Sequence, residues 1–542
     1  MSANGDRTYD VVVVGAGFAG LYALHRLRGL GLRVVVLEAG DGIGGTWYWN
    51  RYPGARCDVE SLEYSYSFSE ELQQEWSWSE RYPAQPEILR YLDHVADRFA
   101  LRPDIQLRTR VVEAAWDDAA GRWTIGTEAG ETLSAQWCVM ATGCLSASQV
   151  PEIPGMERFE GEWHHTARWP EEGVEIAGKR VGVIGTGSTG IQLIPEIAPE
   201  AAHTYVFQRT ANFSVPNANA PMDPEVERSW KDRYAQQRET QRRSMLGVAI
   251  PPGGQSALEA PEEEVQRTLQ ERWEQGGGMP VLLAFNDFLV DERANAKAAD
   301  FVRAKIRETV RDPEVAEMLV PRDFPIGAKR LCQDEGYFET FNRDDVTLVD
   351  VRSAPIEEIT TTGLRTADAE YELDTIVFAT GFDALTGALL AMDVRGRDGL
   401  TLTEAWGNGP QSYLGLMVAG FPNLFTITGP GSPSVLSNVV VSIEQHVEWI
   451  ADCIAHLRGS GLDRIEATAD AQEAWMAHVA EVAAFTLFPR AASWYVGANV
   501  PGKPRVFMPY VGGVGPYRER CAQIAAAGYE GFTLPEQAAF TP

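Results

Sequence analysis

The sequence predicts an α/β protein built from two Rossmann-like dinucleotide-binding units, with a helical insertion in the second, and three observations carry that prediction. A short β-branched strand runs into a G-x-G-x-x-G turn and an apolar helix twice, at residues 11–20 and 180–190. A strand ending in Ala-Thr-Gly also occurs twice, as WCVMATG at 137–143 and DTIVFATG at 374–381. Between them, over about residues 215–345, the pattern changes to charged, helix-favouring sequence. A chain of 542 residues is longer than one hydrophobic core usually organises, so two or three domains are expected.

Composition narrows the function classes. Hydrophobic residues make up 44% of the chain, as in a globular protein. Lys and Arg total 47 against 76 Asp and Glu, a net charge of -29, which argues against a nucleic-acid partner because that binding rests on clustered cations. The polar start MSANGDRTYD runs into VVVVGAG, too short an apolar run for a signal peptide or a membrane span, so a cytoplasmic protein without a membrane partner is expected. The six cysteines, at 57, 138, 144, 332, 453 and 521, form no C-x-x-C pair and no zinc spacing. They predict neither a metal site nor a dithiol centre.

In chain order, Val11 to Val14 form the first strand, followed by Gly15, Gly17 and Gly20. The first glycine permits the tight turn, the second lets the backbone approach a pyrophosphate, and the third lets the helix pack on the strand. A second strand, 33–37, ends at Glu38, about 20 residues on, where a carboxylate binds a ribose hydroxyl pair. An adenosine with an unphosphorylated ribose fits, as in FAD or NAD. The loop GGTWYWNRYPGARCD, 44–58, is too aromatic for an ordinary solvated loop. Its aromatics suit core packing or a flat apolar ring, and its charges Arg56 and Asp58 need partners.

A helix is expected over 86–100 and strands over 107–115 and 122–126. In the second unit the strand Arg180 to Ile184 feeds Gly185, Thr186, Gly187, Ser188, Thr189 and Gly190. The next strand, 204–207, ends in Gln208, Arg209 and Thr210 with no acid at the ribose position. A carboxylate there would repel a 2′-phosphate, whereas Arg209, with Lys329 as a second cation, can hold one, so the second nucleotide is read as NADPH. In the insertion, Ser256 and Glu259 predict a capping box, Val265, Leu269 and Trp273 one apolar stripe, and Gly276 to Gly278 a helix stop. A strand at 346–351 follows, and a later helix presents Ile443, Val447, Ile450, Ile454 and Leu457 on one side. The Pro and Gly-rich loop near 493–510 predicts a mobile lid.

The stretch FEGEWHHTARWP spells F-x-G-x-x-x-H-x-x-x-W-P through Phe159, Gly161, His165, Trp169 and Pro170. It resembles the fingerprint of type I Baeyer–Villiger monooxygenases. The loop at 44–58 is similar to their second signature through Gly45, Trp47, Tyr52, Pro53, Gly54 and Asp58, and GARCD, FQRT, GAKR, GPGSPS and ASWY look most like the phenylacetone and steroid monooxygenase branch. The resemblance spans nearly the whole chain. It implies two interleaved domains: FAD-binding at 1–145 and 384–542, NADP-binding at 146–214 (with the fingerprint as linker) and 341–383, and a helical insertion at 215–340.

The resemblance also implies the chemistry and the site. FAD is reduced by NADPH, oxygen adds at the flavin C4a carbon, and the peroxide attacks a ketone to give an ester or lactone. Arg330 maps onto the active-site arginine and Asp58 onto the carboxylate that orients it. Flavin contacts fall on Ala19, Glu38, Thr46, Trp47, Tyr48, Trp49, Asp58, Tyr64, Val112 and Val439. Nicotinamide contacts fall on Arg56, Thr186, Gly187, Ser188, Thr189, Gly190, Ile191, Gln192, Arg209, Thr210, Lys329 and Arg330, with Trp494 as cover. Cys144, Leu145, Ser434, Val435, Leu436 and Met508 fall on the ketone pocket. His165 is assigned to domain coupling rather than proton transfer. The partners implied are a small ketone and O2, acting on a monomer. The alternatives are a flavin-dependent N- or S-oxygenase and a pyridine-nucleotide-dependent flavoprotein reductase, the latter needing a paired dithiol or acceptor site.

Overall fold

A computed structural model describes residues 7–535. Residues 1–6, part of the polar start, and residues 536–542, the end of the last predicted segment, lie outside the described residues. Two largely parallel sheets organise the chain. The first begins with β1 (Thr8–Val14), β2 (Val34–Leu37), β3 (Ile105–Gln106), β4 (Val111–Asp117), β5 (Arg122–Thr127) and β6 (Thr132–Met140). β1 lies parallel between β2 and β6, and both of its faces are covered. Val11 and Val13 pack with the helices Phe18–Gly29 and Val439–Gly459, while Val12 and Val14 pack with Trp123, Ile125 and Phe421. Two-sided burial explains why this strand reads as an unbroken valine run rather than an alternation.

The chain then leaves for the second sheet through β7 (Glu162–His165), β8 (Arg180–Ile184) and β9 (His203–Gln208). After the insertion, which starts and ends on the short pair β10 (Ser214–Pro216) and β11 (Cys332–Asp334), it returns as β12 (Val346–Asp350). A small antiparallel sheet, β13 (Ile356–Thr360), β14 (Gly363–Thr366) and β15 (Glu370–Glu372), precedes β16 (Thr375–Phe378). The second sheet has the order β12-β9-β8-β16-β7, parallel throughout. The chain finally rejoins the first sheet with β17 (Asp393–Arg395) on β4 and β18 (Leu424–Thr426) on β6. The two dinucleotide units are thus interleaved. Among the described residues no helix is long and apolar enough to cross a membrane.

Both Ala-Thr-Gly segments perform the same local task. A Cβ on Gly15 would stand 2.5 Å from the carbonyl oxygen of Ala141, and one on Gly185 would stand 2.5 Å from that of Ala379. Each alanine carbonyl therefore presses on the first glycine of its neighbouring loop, whose φ of +103° or +113° also demands glycine.

Three local expectations need correction. The strand expected from 107 starts only at Val111, because Arg108 adopts φ 52° and the turn caps the end of β2 through Thr109 N–H to the Glu38 carbonyl, 2.8 Å. The Ser256–Glu259 capping box does not form: the helix Glu262–Gln275 starts behind Pro261, and the Ser256 hydroxyl donates to Asp287 at 2.5 Å. The rest of that reading holds, with Val265 and Leu269 buried and Gly276 ending the helix at φ 76°. The fingerprint is only partly a linker. Its Glu162–His165 stretch is the edge strand β7, with His165 opposite Phe378.

Trp169 ties the two units together. It is 6% exposed and shares one apolar cluster with Tyr52 and Ala55 of the first unit's loop and with Ile191 and Ile194 of the second unit's helix. Trp169→Ala should therefore lower the stability to urea by about 3–5 kcal/mol, as large-to-small changes in a core do. Trp163→Ala, a tryptophan 43% exposed on the edge strand, is the control and should cost less than about 1 kcal/mol. Equal losses would remove the coupling role from Trp169.

Candidate active site

The site lies where loops of the two dinucleotide units and the end of the insertion meet. The helices Phe18–Gly29 and Ser188–Ile197 start at Gly17 and Gly187 without a side-chain cap, leaving their first N–H groups directed at a ligand position. In the first loop Gly45, at φ 56°, packs so closely that its Cβ would lie 2.9 Å from the Gly17 Cα. In the second, a Cβ on Gly187 would meet nothing within 4 Å, an open cradle beside the helix start. Glu38, 5% exposed, accepts from the N–H groups of Ala16 and Gly40 at 2.8 Å each. Ala19 is buried in the same helix.

The aromatic loop builds one wall. Thr46–Trp49 forms a helical turn in which the Trp47 indole donates to the Tyr64 hydroxyl at 3.1 Å, while Tyr48 packs on Gly40 and Gly42, hydrogen-bonds Asp41, and stands edge-on to Trp49. Val439 opens its helix beside Asn438, whose amide donates to the Glu63 carbonyl at 2.8 Å next to Tyr64. Val112 stands at a bulge on β4 with its side chain 38% exposed.

Asp58, at the end of the aromatic loop, and Arg330, at the end of the insertion, meet beside it. The guanidinium grips the carboxylate with two bonds, Nε to Oδ2 and Nη2 to Oδ1, both 2.6 Å, and its Nη1 donates to the Val435 carbonyl at 2.7 Å. Burial alone would push the Asp58 carboxyl up, but the Arg330 charge and hydrogen bonds outweigh it and hold the group below its ordinary range. Burial likewise opposes the charge on Arg330, and Asp58 more than restores it. The pair stays ionised. It borders an apolar cavity whose wall includes Leu246, Leu282, Leu289, Leu436, Phe488 and Tyr495. Burial raises the Tyr495 hydroxyl to about 12 against the lowering pull of the Arg330 charge, so it stays neutral.

The expected pocket residues Cys144, Val435, Leu436 and Met508 share a cluster with Phe488, Tyr495 and Phe507, with Leu145 packed against it. Of these only Leu436, Phe488 and Tyr495 reach the cavity wall; Cys144 and Ser434 lie behind it, their Sγ and Oγ 3.0 Å apart. Tyr495 and Phe488 escaped sequence reasoning, because an aromatic in a loop carries no spacing signal. The 493–510 loop expected to be a lid is docked: Asn499 donates to the Phe382 carbonyl at 2.6 Å, Lys503 pairs with Asp383, and Trp494 packs on Tyr495 with ring centres 4.4 Å apart.

A second group of charges surrounds the end of β9. Arg209 is exposed beyond the strand, and Lys329 lies 4.3 Å over the Phe324 ring. Burial, and after it the Arg209 charge, lower the Lys329 ammonium from its ordinary value. Arg352, which the sequence reading missed, joins them: its Nη2 is 3.5 Å from the Thr210 hydroxyl and 2.5 Å from Asp323. Its position directly after β12, the neighbour of β9, is the signal that could have found it. The Thr186 hydroxyl donates to the Thr210 carbonyl at 3.1 Å, linking this end to the glycine loop.

Several other expected coenzyme contacts lie at the seam between the two units. Gln192 accepts from the Tyr52 hydroxyl at 2.8 Å and donates to the Arg56 carbonyl at 3.0 Å, and Ile191 is core. Thr189 and Gly190 continue the same helix start, and Arg56 is paired with Glu80 and Glu335. His165 is 2% exposed, its Nδ1 accepts from the Ala167 N–H at 3.1 Å, and its Nε2 lies 3.3 Å from the Thr380 hydroxyl. Burial lowers it to about 4, leaving a neutral ring at the crossing between sheets. All six cysteines are free and buried, and among the described residues no cluster of metal-binding side chains occurs.

Comparison with known proteins agrees with this arrangement. Residues 9–236 match the family described as "Pyridine nucleotide-disulphide oxidoreductase". Acetone monooxygenase (methyl acetate-forming) of Gordonia sp. is 44% identical over 97% of this chain and 99% of its own. Phenazine N-monooxygenase PhzNO1 of Lysobacter antibioticus is 44% identical over 98% of each chain, and a Baeyer–Villiger monooxygenase of Pseudooceanicola batsensis is 44% identical over 96% and 95%. A solved oxidised steroid monooxygenase bound to NADP is 53% identical with a TM-score of 0.93, covering 98% of this chain and 100% of that one. The OTEMO complex with FAD and NADP is 41% identical with a TM-score of 0.94, over 97% and 99%. The uncapped helix starts, the open Gly187 cradle and the buried Glu38 carboxylate fit two such dinucleotides.

The cluster of Arg209, Lys329 and Arg352 generates a prediction about coenzyme choice. Removing a charged donor to phosphate costs about 1.5–3 kcal/mol, so Arg209→Ala and Arg352→Ala should each weaken NADP+ by roughly ten- to a hundredfold. Affinity for NAD+ should change less than about twofold, since it lacks the phosphate. Titration of the oxidised protein with both nucleotides measures this, and equal losses would place the phosphate elsewhere.

Proposed function

The chain belongs to the Baeyer–Villiger monooxygenases, flavin-dependent enzymes with NADP-bound relatives, and on that premise we propose that it converts a ketone to an ester or lactone with NADPH and O2. The observation that carries the proposal is the two-pronged Arg330–Asp58 pair on the wall of an apolar cavity, its third donor fixed on the Val435 carbonyl. FAD, once bound and reduced by NADPH, would supply the oxygen activation that no side chain provides. The first glycine loop, Gly15 to Gly20, and Glu38 would hold FAD; Gly187, Ser188, Arg209, Lys329 and Arg352 would hold NADPH.

Arg330 serves the step that follows. Attack on a ketone carbonyl places negative charge on the carbonyl oxygen, and a permanent cation in a water-poor site stabilises that oxyanion without reorganising. Asp58 fixes the plane of the guanidinium and keeps its charge desolvated but paired. Leu436, Phe488 and Tyr495, with the docked Trp494 loop above, exclude water that would divert the oxidant to hydrogen peroxide. His165, neutral throughout the working range, couples the two sheets and transfers no proton.

N-oxidation is the second reading, because one relative of equal identity is named a phenazine N-monooxygenase. Attack by a nitrogen lone pair forms no carbon-bound oxyanion, so it does not need the Arg330 charge. The reductase reading finds no support in the buried, unpaired cysteines.

Ester yield per NADPH, measured with a panel of ketones, tests the assignment. Arg330→Ala should reduce ester formation by roughly a hundredfold or more, as loss of an oxyanion-stabilising group does, while oxygen is still consumed. Arg330→Lys keeps the charge without the fork and should fall between. Normal ester yield from Arg330→Ala, or N-oxide formation from a heteroaromatic amine with no ester from any ketone, would overturn the ketone assignment. His165→Ala, by contrast, should retain FAD, lose ester yield and leak peroxide, with no ionisation removed from the pH–rate profile between about 6 and 9. A histidine lowered to about 4 has no proton to give in that range, so a lost ionisation there would make it an acid–base residue.

A further inference from the structure

Gln333, in β11, is 8% exposed and lines two cavities: the one bordered by Asp58 and Arg330, and a smaller one beneath Gly54 and Gln192. Its Nε2 donates to the main-chain carbonyl of Asp58 at 2.9 Å. A carbonyl only accepts, so that bond sets the amide orientation and leaves Oε1 on the opposite side. Oε1 is buried and has no hydrogen-bond partner among the described residues. A buried acceptor left unpaired is strongly disfavoured, and native proteins keep one chiefly where a water or a ligand supplies the donor.

The position of β11 indicates which ligand. Cys332, the residue before, has its Sγ 3.3 Å from the hydroxyl of Ser188, the first residue of the helix behind the open Gly187 cradle. Gln333, the next residue on β11, carries its amide to the main chain of Asp58, so this short strand links the start of that helix to the loop that holds Arg330. A ketone substrate carries no donor at its carbonyl. A nicotinamide ring carries one, the amino group of its carboxamide, and the flavin offers another in a ring N–H.

We propose that the Gln333 Oε1 accepts a hydrogen bond from the carboxamide amino group of the bound nicotinamide coenzyme, tying the ring through one side chain to the backbone of Asp58. This rests on the reading that NADPH occupies the space between Gly187 and Arg330. The amide then works at both ends: Nε2 fixes the Asp58 loop, and Oε1 selects the carboxamide. Gln333 becomes a coenzyme-specificity residue outside the glycine loops and the cation cluster.

Equilibrium titration of the oxidised, FAD-loaded protein tests it with two ligands, NADP+ and its 3-acetylpyridine analogue, in which a methyl group replaces the amino group. Gln333→Leu should weaken NADP+ about tenfold and the analogue less than about twofold, the loss of one hydrogen bond to one ligand only. Gln333→Glu keeps an acceptor but cannot donate to the Asp58 carbonyl, and it should retain the preference for NADP+ over the analogue. Bound flavin, read from its absorbance, should be unchanged in both variants. Equal weakening of the two ligands would reduce Gln333 to a support for the Asp58 loop and overturn the proposal. Unchanged binding of both would assign Oε1 to water, and lost flavin would assign it to the flavin edge; either result overturns it. Failure of the unsubstituted protein to bind NADP+ would overturn the coenzyme reading beneath it as well.

Discussion

The structure depends on one ion pair that neither sheet could hold alone. Taking a carboxylate and a guanidinium out of water costs several kcal/mol per ion, and only close two-pronged geometry with the remaining donors satisfied offsets it. Asp58 comes from the loop after β2 and Arg330 from the end of the insertion, separated by 272 residues of chain. Their 2.6 Å bonds and the Val435 carbonyl satisfy the guanidinium beside an apolar cavity, while the Gln333 amide holds the Asp58 main chain in place. A site arranged in this way has its electrostatics in place before substrate arrives.

That juxtaposition requires the two dinucleotide units to sit in a fixed relation, and the interleaved topology provides it. The chain crosses between sheets after β6 and again after β16, and each crossing begins with an alanine carbonyl seated on a loop glycine. The aromatic loop of the first unit reaches into the core of the second through Tyr52 and Ala55, where Trp169 of the fingerprint packs with them. The Tyr52–Gln192–Arg56 bonds add a polar seam beside that core. Residues that resemble cofactor contacts by position thus also hold the interface between the domains, and His165 lies buried at the crossing.

Much of this was legible in the sequence. The paired strand–glycine–helix patterns, the repeated Ala-Thr-Gly strands, Glu38, the absence of an acid after β9 and the alignment of Asp58 and Arg330 with a known family are local or motif-borne, and local rules of strand, turn and charge suffice to read them. Where the reading failed, a long-range partner intervened: Asp287 took the Ser256 hydroxyl from its expected cap, and β16 drew Glu162–His165 of the fingerprint into a sheet.

By itself, then, the sequence determined the two nucleotide-binding units, their order, and the residue types available for each phosphate and ribose, because each is encoded within about 30 contiguous residues. Only the tertiary structure decided which side chains share the cavity: that Arg352 joins Arg209 and Lys329, that Tyr495 and Phe488 rather than Cys144 and Ser434 face Arg330, and that Gln333 keeps an oxygen unpaired. The physical reason is that most of these meetings occur between elements more than a hundred residues apart. Their proximity is set by sheet order and core packing, quantities that no periodicity in a single strand or helix records.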